Sequence, residues 1–352
     1  MENVIFVCAL AVFAGAYLAW GISRLSRAER QFLAAIPYAK RPNGSWRCVN
    51  FTYYGALTAF ACTAGAALAA VLVCALGAPA GATLGIVGAL LVVCIPAAKI
   101  AARIVEGNWN RFTVGGACFT GILLAPPVVW AAGTLFPQTQ LAVVPVCAAF
   151  AAAYALGEGL GRLACLSYGC CYGRPVSELS PRLRKIFAPL AVTFDGECKK
   201  AVYAGGKCAH APLVPVQAMS AIANTALAVA ATALLLAEMP RAALVTGVAG
   251  TQLWRFFSEF LRADDRGNGA ISPYQKMSLV GCAWGIAAAF LFYDAPAAAP
   301  AGTPDIVAGI SIFRSAATLL GFQILFVAAA LATGLSTMTA SRARFFVRRD
   351  RI

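Results

Sequence analysis

Apolar residues run along this chain in blocks as long as a bilayer is thick, separated by short polar stretches. The blocks cover roughly 3–23, 52–77, 79–102, 113–135, 140–160, 213–238, 241–262, 275–295 and 314–338. Most approach or exceed the roughly 18–20 residues that a membrane-spanning helix needs. Gly and Ala are frequent within them, which suits helices that pack closely in lipid. The pattern predicts an all-α polytopic membrane protein with about nine transmembrane helices. The first block is too long, and too poorly matched to a cleavage site, for a removable signal peptide. A Pro/Ala-rich linker, "DAPAAAPAGTPD", occupies 294–305.

Composition agrees with the pattern: 61% of the 352 residues are hydrophobic and 12% are charged. Of thirteen cysteines, most stand singly inside apolar blocks (Cys62, Cys74, Cys94, Cys147, Cys282), where cysteine acts as a small buried hydrophobe. Charge placement changes the picture more, because the net charge is +14. On a nine-helix map, 26 of the 28 basic residues fall on one side, leaving only Arg241 and Arg314 opposite. The positive-inside rule then puts the N-terminus outside and the basic loops and C-terminus in the cytoplasm. Most of these residues read as a collar facing lipid headgroups. No nucleic-acid partner, cofactor or metal ion is expected.

Two places do not fit a solvated collar. "GRLACLSYGCCYGR" at 161–174 puts two arginines and three cysteines at the end of an apolar block. In "TQLWRFFSEFLR", Arg255 and Glu259 lie four apart and so share a helix face. Ionisable residues inside a span are costly and usually line a functional cavity. An inert ion pair pinning two helices is the structural alternative. Cys198 and Cys208, flanking "KKAVYAGGK", have hairpin spacing; they read as a disulfide outside the cell, or as reduced thiols or a weak metal site inside it.

These residues carry a resemblance to the prolipoprotein diacylglyceryl transferase family. In 161–174, Gly161, Arg162, Gly169, Gly173 and Arg174 fall on positions of its signature. "YYGAL" at 53–57 resembles the family's Tyr-Gly element, with Tyr54 on the tyrosine. "TVGGA" at 113–117 resembles its His-Gly-Gly element, "VPVQ" at 214–217 its His-Pro-Ser/Thr-Gln element, and "RFFSEFLRADD" its late Arg…Glu…Arg helix. The similarity covers about 50–295. It divides the chain into an extra N-terminal helix and basic loop (1–49), a seven-helix core with an inserted loop at 161–212 (50–295), and a linker, extra helix and basic tail (296–352).

The resemblance implies a bacterial inner-membrane enzyme that moves a diacylglyceryl group from phosphatidylglycerol to a lipoprotein cysteine. Breaking the carbon–oxygen bond leaves a phosphate oxyanion, which a guanidinium binds bidentately in a water-poor site. Arg162 and Arg255 would hold the phosphate and Glu259 would orient Arg255. Gly115 and Gly116 would let the backbone approach the lipid, while Tyr54 and Gln217 hydrogen-bond the headgroup. Gly161, Cys165, Gly173, Arg174 and Arg262 complete the expected binding set.

The chain departs from the family pattern at positions that bear on the chemistry. Val114 and Val214 stand where the family has histidines, Cys165 where it has asparagine, and Cys170 where it has glutamate. His210, the only histidine, falls in a loop, so a general base for an incoming thiol is missing at the expected place. Cys170 and Cys171 are candidates for that gap, as base or nucleophile, because nearby Arg162 and Arg174 would favour a thiolate. A need for small residues in a tight turn is the alternative. Family members present their active face to the periplasm, whereas the charge count puts it in the cytoplasm. Two other readings stay open: a lipid-biosynthetic relative with a cytoplasmic, non-lipoprotein acceptor, and a non-catalytic protein that binds or translocates phospholipid.

Overall fold

The structure, a computed structural model, describes residues 1–27, 31–40, 42, 46–106, 114–139, 141–263, 271–292 and 303–334. Helix α1 (Glu2–Arg24) leads into strands β1 (Phe32–Lys40) and β2 (Trp46–Thr52), followed by α2 (Tyr53–Ala75), α3 (Ala80–Glu106), α4 (Val114–Leu135) and α5 (Val143–Tyr168). The inserted loop carries two short helices, α6 (Pro181–Phe187) and α7 (Lys200–Tyr203). Then come α8 (Val216–Leu236), α9 (Pro240–Val245), a π-turn at Thr246–Gly250, α10 (Thr251–Glu259), α11 (Pro273–Leu291), α12 (Ile306–Ile310) and α13 (Ala316–Gly334).

Helix α5 is the axis of the bundle, packed chiefly against α2 and α8. Its residues Ala148, Ala149, Ala152 and Ala155 are completely shielded. Small side chains allow that closeness: a Cβ added at Gly159 would sit 2.4 Å from Thr225 Oγ1 on α8. Such small-residue seams are how helices associate where lipid removes the usual hydrophobic drive. Outward-facing residues remain apolar, among them Val92, Phe257 and Phe290.

The expected spans overlap helices among the described residues, with 241–262 divided between α9, the π-turn and α10. Six of these helices are long and apolar enough to cross a membrane: Glu2–Arg24, Tyr53–Ala75, Gly115–Leu135, Val143–Tyr168, Val216–Leu236 and Ala316–Thr333. The chain is thus mostly helical and multi-pass, although not all nine expected spans meet that standard. One short non-helical element joins the helices. What reads as a basic loop after α1 contains an antiparallel hairpin, pairing Phe32 with Thr52 and Lys40 with Trp46. Thr52 ends the hairpin and starts α2, its side chain accepting from the Gly55 N–H at 3.0 Å. This spends an otherwise unpaired helix N-terminal donor. The tail arginines 342–351 and most of the 294–305 linker lie outside the described residues.

Candidate active site

The site grows from one face of α5. Tyr154, Glu158 and Arg162 follow one another at four-residue spacing, so they stack along a single side of the helix. Glu158 Oε1 accepts a hydrogen bond from Arg162. The same oxygen accepts from Arg255 Nη1 on α10 at 3.4 Å. All three side chains are withdrawn from the surface: Glu158 is 6% exposed, Arg162 15% and Arg255 14%. Two guanidiniums from different helices therefore converge on one buried carboxylate, a charge-assisted arrangement that fixes both forks.

Arg255 reaches this position from a helix that is interrupted just before it. Between α9 and α10 the chain passes through the π-turn at Thr246–Gly250. A π-turn adds one residue to a helical turn and rotates everything after it, a device common beside functional sites. Facing Arg255 on α4 is Gly115, where an added Cβ would lie 2.9 Å from the Tyr274 ring and 3.0 Å from Arg255 Nη2. Gly115 thus makes room for the guanidinium itself, a role distinct from the expected backbone approach to lipid. Gly116 is buried beside it, and Gly161 makes only ordinary contact, its added Cβ falling 3.6 Å from Ala61 Cβ.

A polar cavity opens over these groups. Arg162, Ser220, Trp254, Arg255, Ser258, Glu259, Arg262, Tyr274 and Ser278 line it. Trp254 Nε1 donates to Ser220 Oγ at 3.1 Å. Glu259, expected to orient Arg255, stands 3.9 Å from Arg262 Nε and accepts from Ser272 Oγ at 3.4 Å. The carboxylate placed directly on Arg255 is Glu158. Three guanidiniums around the cavity thus meet two carboxylates, an excess of a single positive charge among the described residues.

The turn after α5 closes one wall. Gly169 adopts φ +69° as the helix C-cap, and the Cys170 N–H reaches back to the Cys165 carbonyl at 3.1 Å. This is the glycine-capped hairpin that commonly satisfies the last helical carbonyls. Gln217 Nε2 donates to the Cys170 carbonyl at 2.9 Å, fixing the turn from α8. The chain then runs between two neighbours: the Arg174 N–H donates to the Leu261 carbonyl at 2.9 Å, and Val214 N–H to the Arg174 carbonyl at 3.0 Å. Gly173 is required there, because a Cβ would lie 2.2 Å from the Val214 carbonyl oxygen.

Of the expected binding residues, Tyr54 lies within electrostatic reach of Arg162 and of Cys165, Cys170 and Cys171. Arg174 contributes its backbone, but its side chain points to the exposed surface. Cys170, expected as a base or nucleophile, is buried beside Cys165 and Cys171. Hydrogen bonding with Cys165 and with Cys171, together with burial, holds the Cys170 thiol well above the usual thiol range. Cys198 is half-buried and Cys208 buried, and the two are not joined to each other in a disulfide. His210 is exposed in its loop, 3.4 Å from Asp195 Oδ1, away from the cavity.

Sequence reasoning missed Glu158, although the rule that singled out Arg255 applies to it: an acid inside an apolar span, four residues before an arginine. Ser220, Ser258, Tyr274 and Ser278 carry no such signal, since only the fold collects them.

The family model of prolipoprotein diacylglyceryl transferase matches residues 46–292. The chain belongs to that family. No curated protein matches it. The matched stretch runs from β2 through α11 and contains every cavity residue, while α1, α12 and α13 lie outside it. The diacylglyceryl transferase core is thus the part that builds the cavity.

Proposed function

We propose that the protein transfers a diacylglyceryl group from a phosphatidylglycerol-like anionic phospholipid to a nucleophilic acceptor in the bacterial inner membrane. The observation that carries this reading is the pair of guanidiniums, Arg162 and Arg255, held on the single carboxylate of Glu158. With Arg262 and Glu259, the cavity keeps one positive charge in excess, which the single negative charge of a phosphodiester balances. Exposed Phe257 and Phe260 follow Arg255 along the chain, off the face that lines the cavity, and present an apolar surface suited to lipid.

In the reaction, the acceptor nucleophile attacks the glycerol carbon that bears the phosphate ester. The new bond forms there, the carbon–oxygen bond breaks, and its electron pair leaves on the phosphate oxygen. The nucleophile's proton passes to a base. Arg162 and Arg255 stabilise the charge that grows on the leaving phosphate, usually the largest contribution such a site makes. Glu158 orients both guanidiniums, so no conformational ordering is needed as charge develops.

A lipoprotein cysteine is the acceptor that family membership favours. Two features of the sequence favour a second reading, a cytoplasmic acceptor: valines occupy positions 114 and 214, and on a nine-helix map the basic residues gather on one side. Headgroup release from phosphatidylglycerol micelles tests both, with and without a lipoprotein-signal peptide bearing its cysteine. Peptide-dependent release of glycerol phosphate supports the lipoprotein acceptor. Release without peptide, abolished in Arg162→Ala, supports the other acceptor. Intact phospholipid bound with no release under either condition would favour a binding protein without catalysis.

A further inference from the structure

Three thiols meet beside the site, and neither the phosphate reading nor the helix packing accounts for them. Cys165 lies in the last turn of α5, and Cys170 and Cys171 follow its glycine cap. The fold-back of the Cys170 N–H onto the Cys165 carbonyl brings the three side chains together. Their sulfur atoms all lie within 4.8 Å of one another. The turn is held from two directions, by Gln217 on the Cys170 carbonyl and by the left-handed conformation of Cys171, at φ 55°. A left-handed cysteine is uncommon; the backbone accepts it here where it aims a third sulfur at the other two.

We propose that Cys165, Cys170 and Cys171 form a three-sulfur site for a thiophilic d10 cation of the copper(I) or zinc(II) class. Metal–thiolate bonds of about 2.3 Å place three sulfurs around one ion at about 3.8–4.0 Å from each other. The observed cluster closes to that spacing with movements of less than about 1 Å. Soft sulfur donors select such ions over magnesium or calcium. The charge is also matched: three thiolates and a mono- or divalent cation leave a net negative cluster, and Arg162 lies within electrostatic reach of Cys165 and Cys171. No histidine, aspartate or glutamate among the described residues joins the three sulfurs. Among the described residues the donor set is thus the three sulfurs alone. Binding displaces thiol protons into solvent and needs no oxidant. The inference stands on the turn's geometry and not on the transfer reaction, so either can fail alone.

The test titrates the reduced, detergent-solubilised full chain with cadmium(II), whose thiolate bonds absorb in the ultraviolet, and measures zinc(II) retained after desalting. The expected result is one ion per chain with a thiolate charge-transfer band. Cys165→Ser and Cys171→Ser should each weaken binding by more than about 100-fold, since even outer-sphere partners cost 10–100-fold. The Cys198→Ser/Cys208→Ser double variant should keep both band and stoichiometry. Circular dichroism checks each variant's helicity; if Cys165→Ser does not fold, half-buried Cys171 supplies the deciding substitution. A wild-type chain with no band, or a band unchanged in Cys171→Ser, overturns the proposal. So does a cluster that closes to a disulfide under mild oxidation yet never holds metal when reduced.

Discussion

Glu158 and Arg255 stand 97 positions apart in the chain, yet Arg255 Nη1 donates to Glu158 Oε1 at 3.4 Å, on the oxygen that also holds Arg162. A carboxylate shared in this way is a lock on two cations. Removing it leaves both guanidiniums buried without compensation, a situation that typically costs about 3–5 kcal/mol. Glu158→Ala is therefore expected to lower the thermal unfolding midpoint sharply. Glu158→Gln, which keeps the volume and one hydrogen-bond acceptor, should unfold closer to the wild type while losing headgroup release. Equal activity in Glu158→Gln and wild type would sink the orienting role.

Arg255→Ala should reduce headgroup release by about 10²–10³-fold, the usual cost of one preorganised charge-stabilising donor. Arg255→Lys should not restore it, because an ammonium cannot bind carboxylate and phosphate through a planar fork. Rates measured at saturating lipid separate this from weakened binding. Recovery to near wild-type rate with lysine would show that charge alone suffices.

Gly115→Ala places a methyl 3.0 Å from Arg255 Nη2 and 2.9 Å from the Tyr274 ring. The guanidinium is the flexible partner and gives way. The chain is expected to keep its fold, with an unfolding midpoint near wild type, but to lose about tenfold or more in turnover, as a displaced catalytic group does. Steady-state kinetics alongside thermal unfolding check the two halves of that statement.

Gly173→Ala should do the opposite and damage the fold first. Its Cβ meets a backbone carbonyl, that of Val214, at 2.2 Å, and backbone cannot swing aside as a side chain does. Overpacking of this kind costs about 1–3 kcal/mol or more. Protease digestion of the 174–214 loop should accelerate in the variant; unchanged digestion would show that the three backbone segments are not coupled.

Lys199 predicts a pH dependence. It lies almost fully buried in the inserted loop, donating to the carbonyls of Leu25, at 3.1 Å, and Ser167. Burial pushes its amine below the usual lysine value of 10.5. The unfolded chain therefore binds more protons than the folded one between the depressed value and about 10.5, so this contribution to stability rises with pH through that window. Below the window the cost of burying the charge is fully present. The difference in unfolding midpoint between wild type and Lys199→Gln, followed from about pH 8 to 10.5, should shift in favour of the wild type as pH increases. A constant difference would remove the lysine from the linkage.

The hydrophobic blocks, Arg162, Arg255 and the order of five family motifs were legible in the residues themselves. Lipid imposes a local rule: about twenty consecutive apolar residues bury a helix, and a charge among them stands out without knowledge of any other helix. That rule located α5 and α10 and marked their arginines. It would also have marked Glu158, had the quoted motif begun three residues earlier. The partner of Arg255 was another matter. Sequence spacing offered Glu259, on the same helix; the structure offers Glu158, on α5. The choice depends on the rotation of one helix against another, which the close seam at Gly159 and the π-turn at Thr246–Gly250 set. Helical periodicity along one strand of sequence has no access to that angle. The hairpin at 32–52 escaped for a related reason, since two strands stabilise each other only by pairing. The thiol cluster shows the same division: the sequence placed Cys165, Cys170 and Cys171 near one another, and a left-handed cap folded them onto one point.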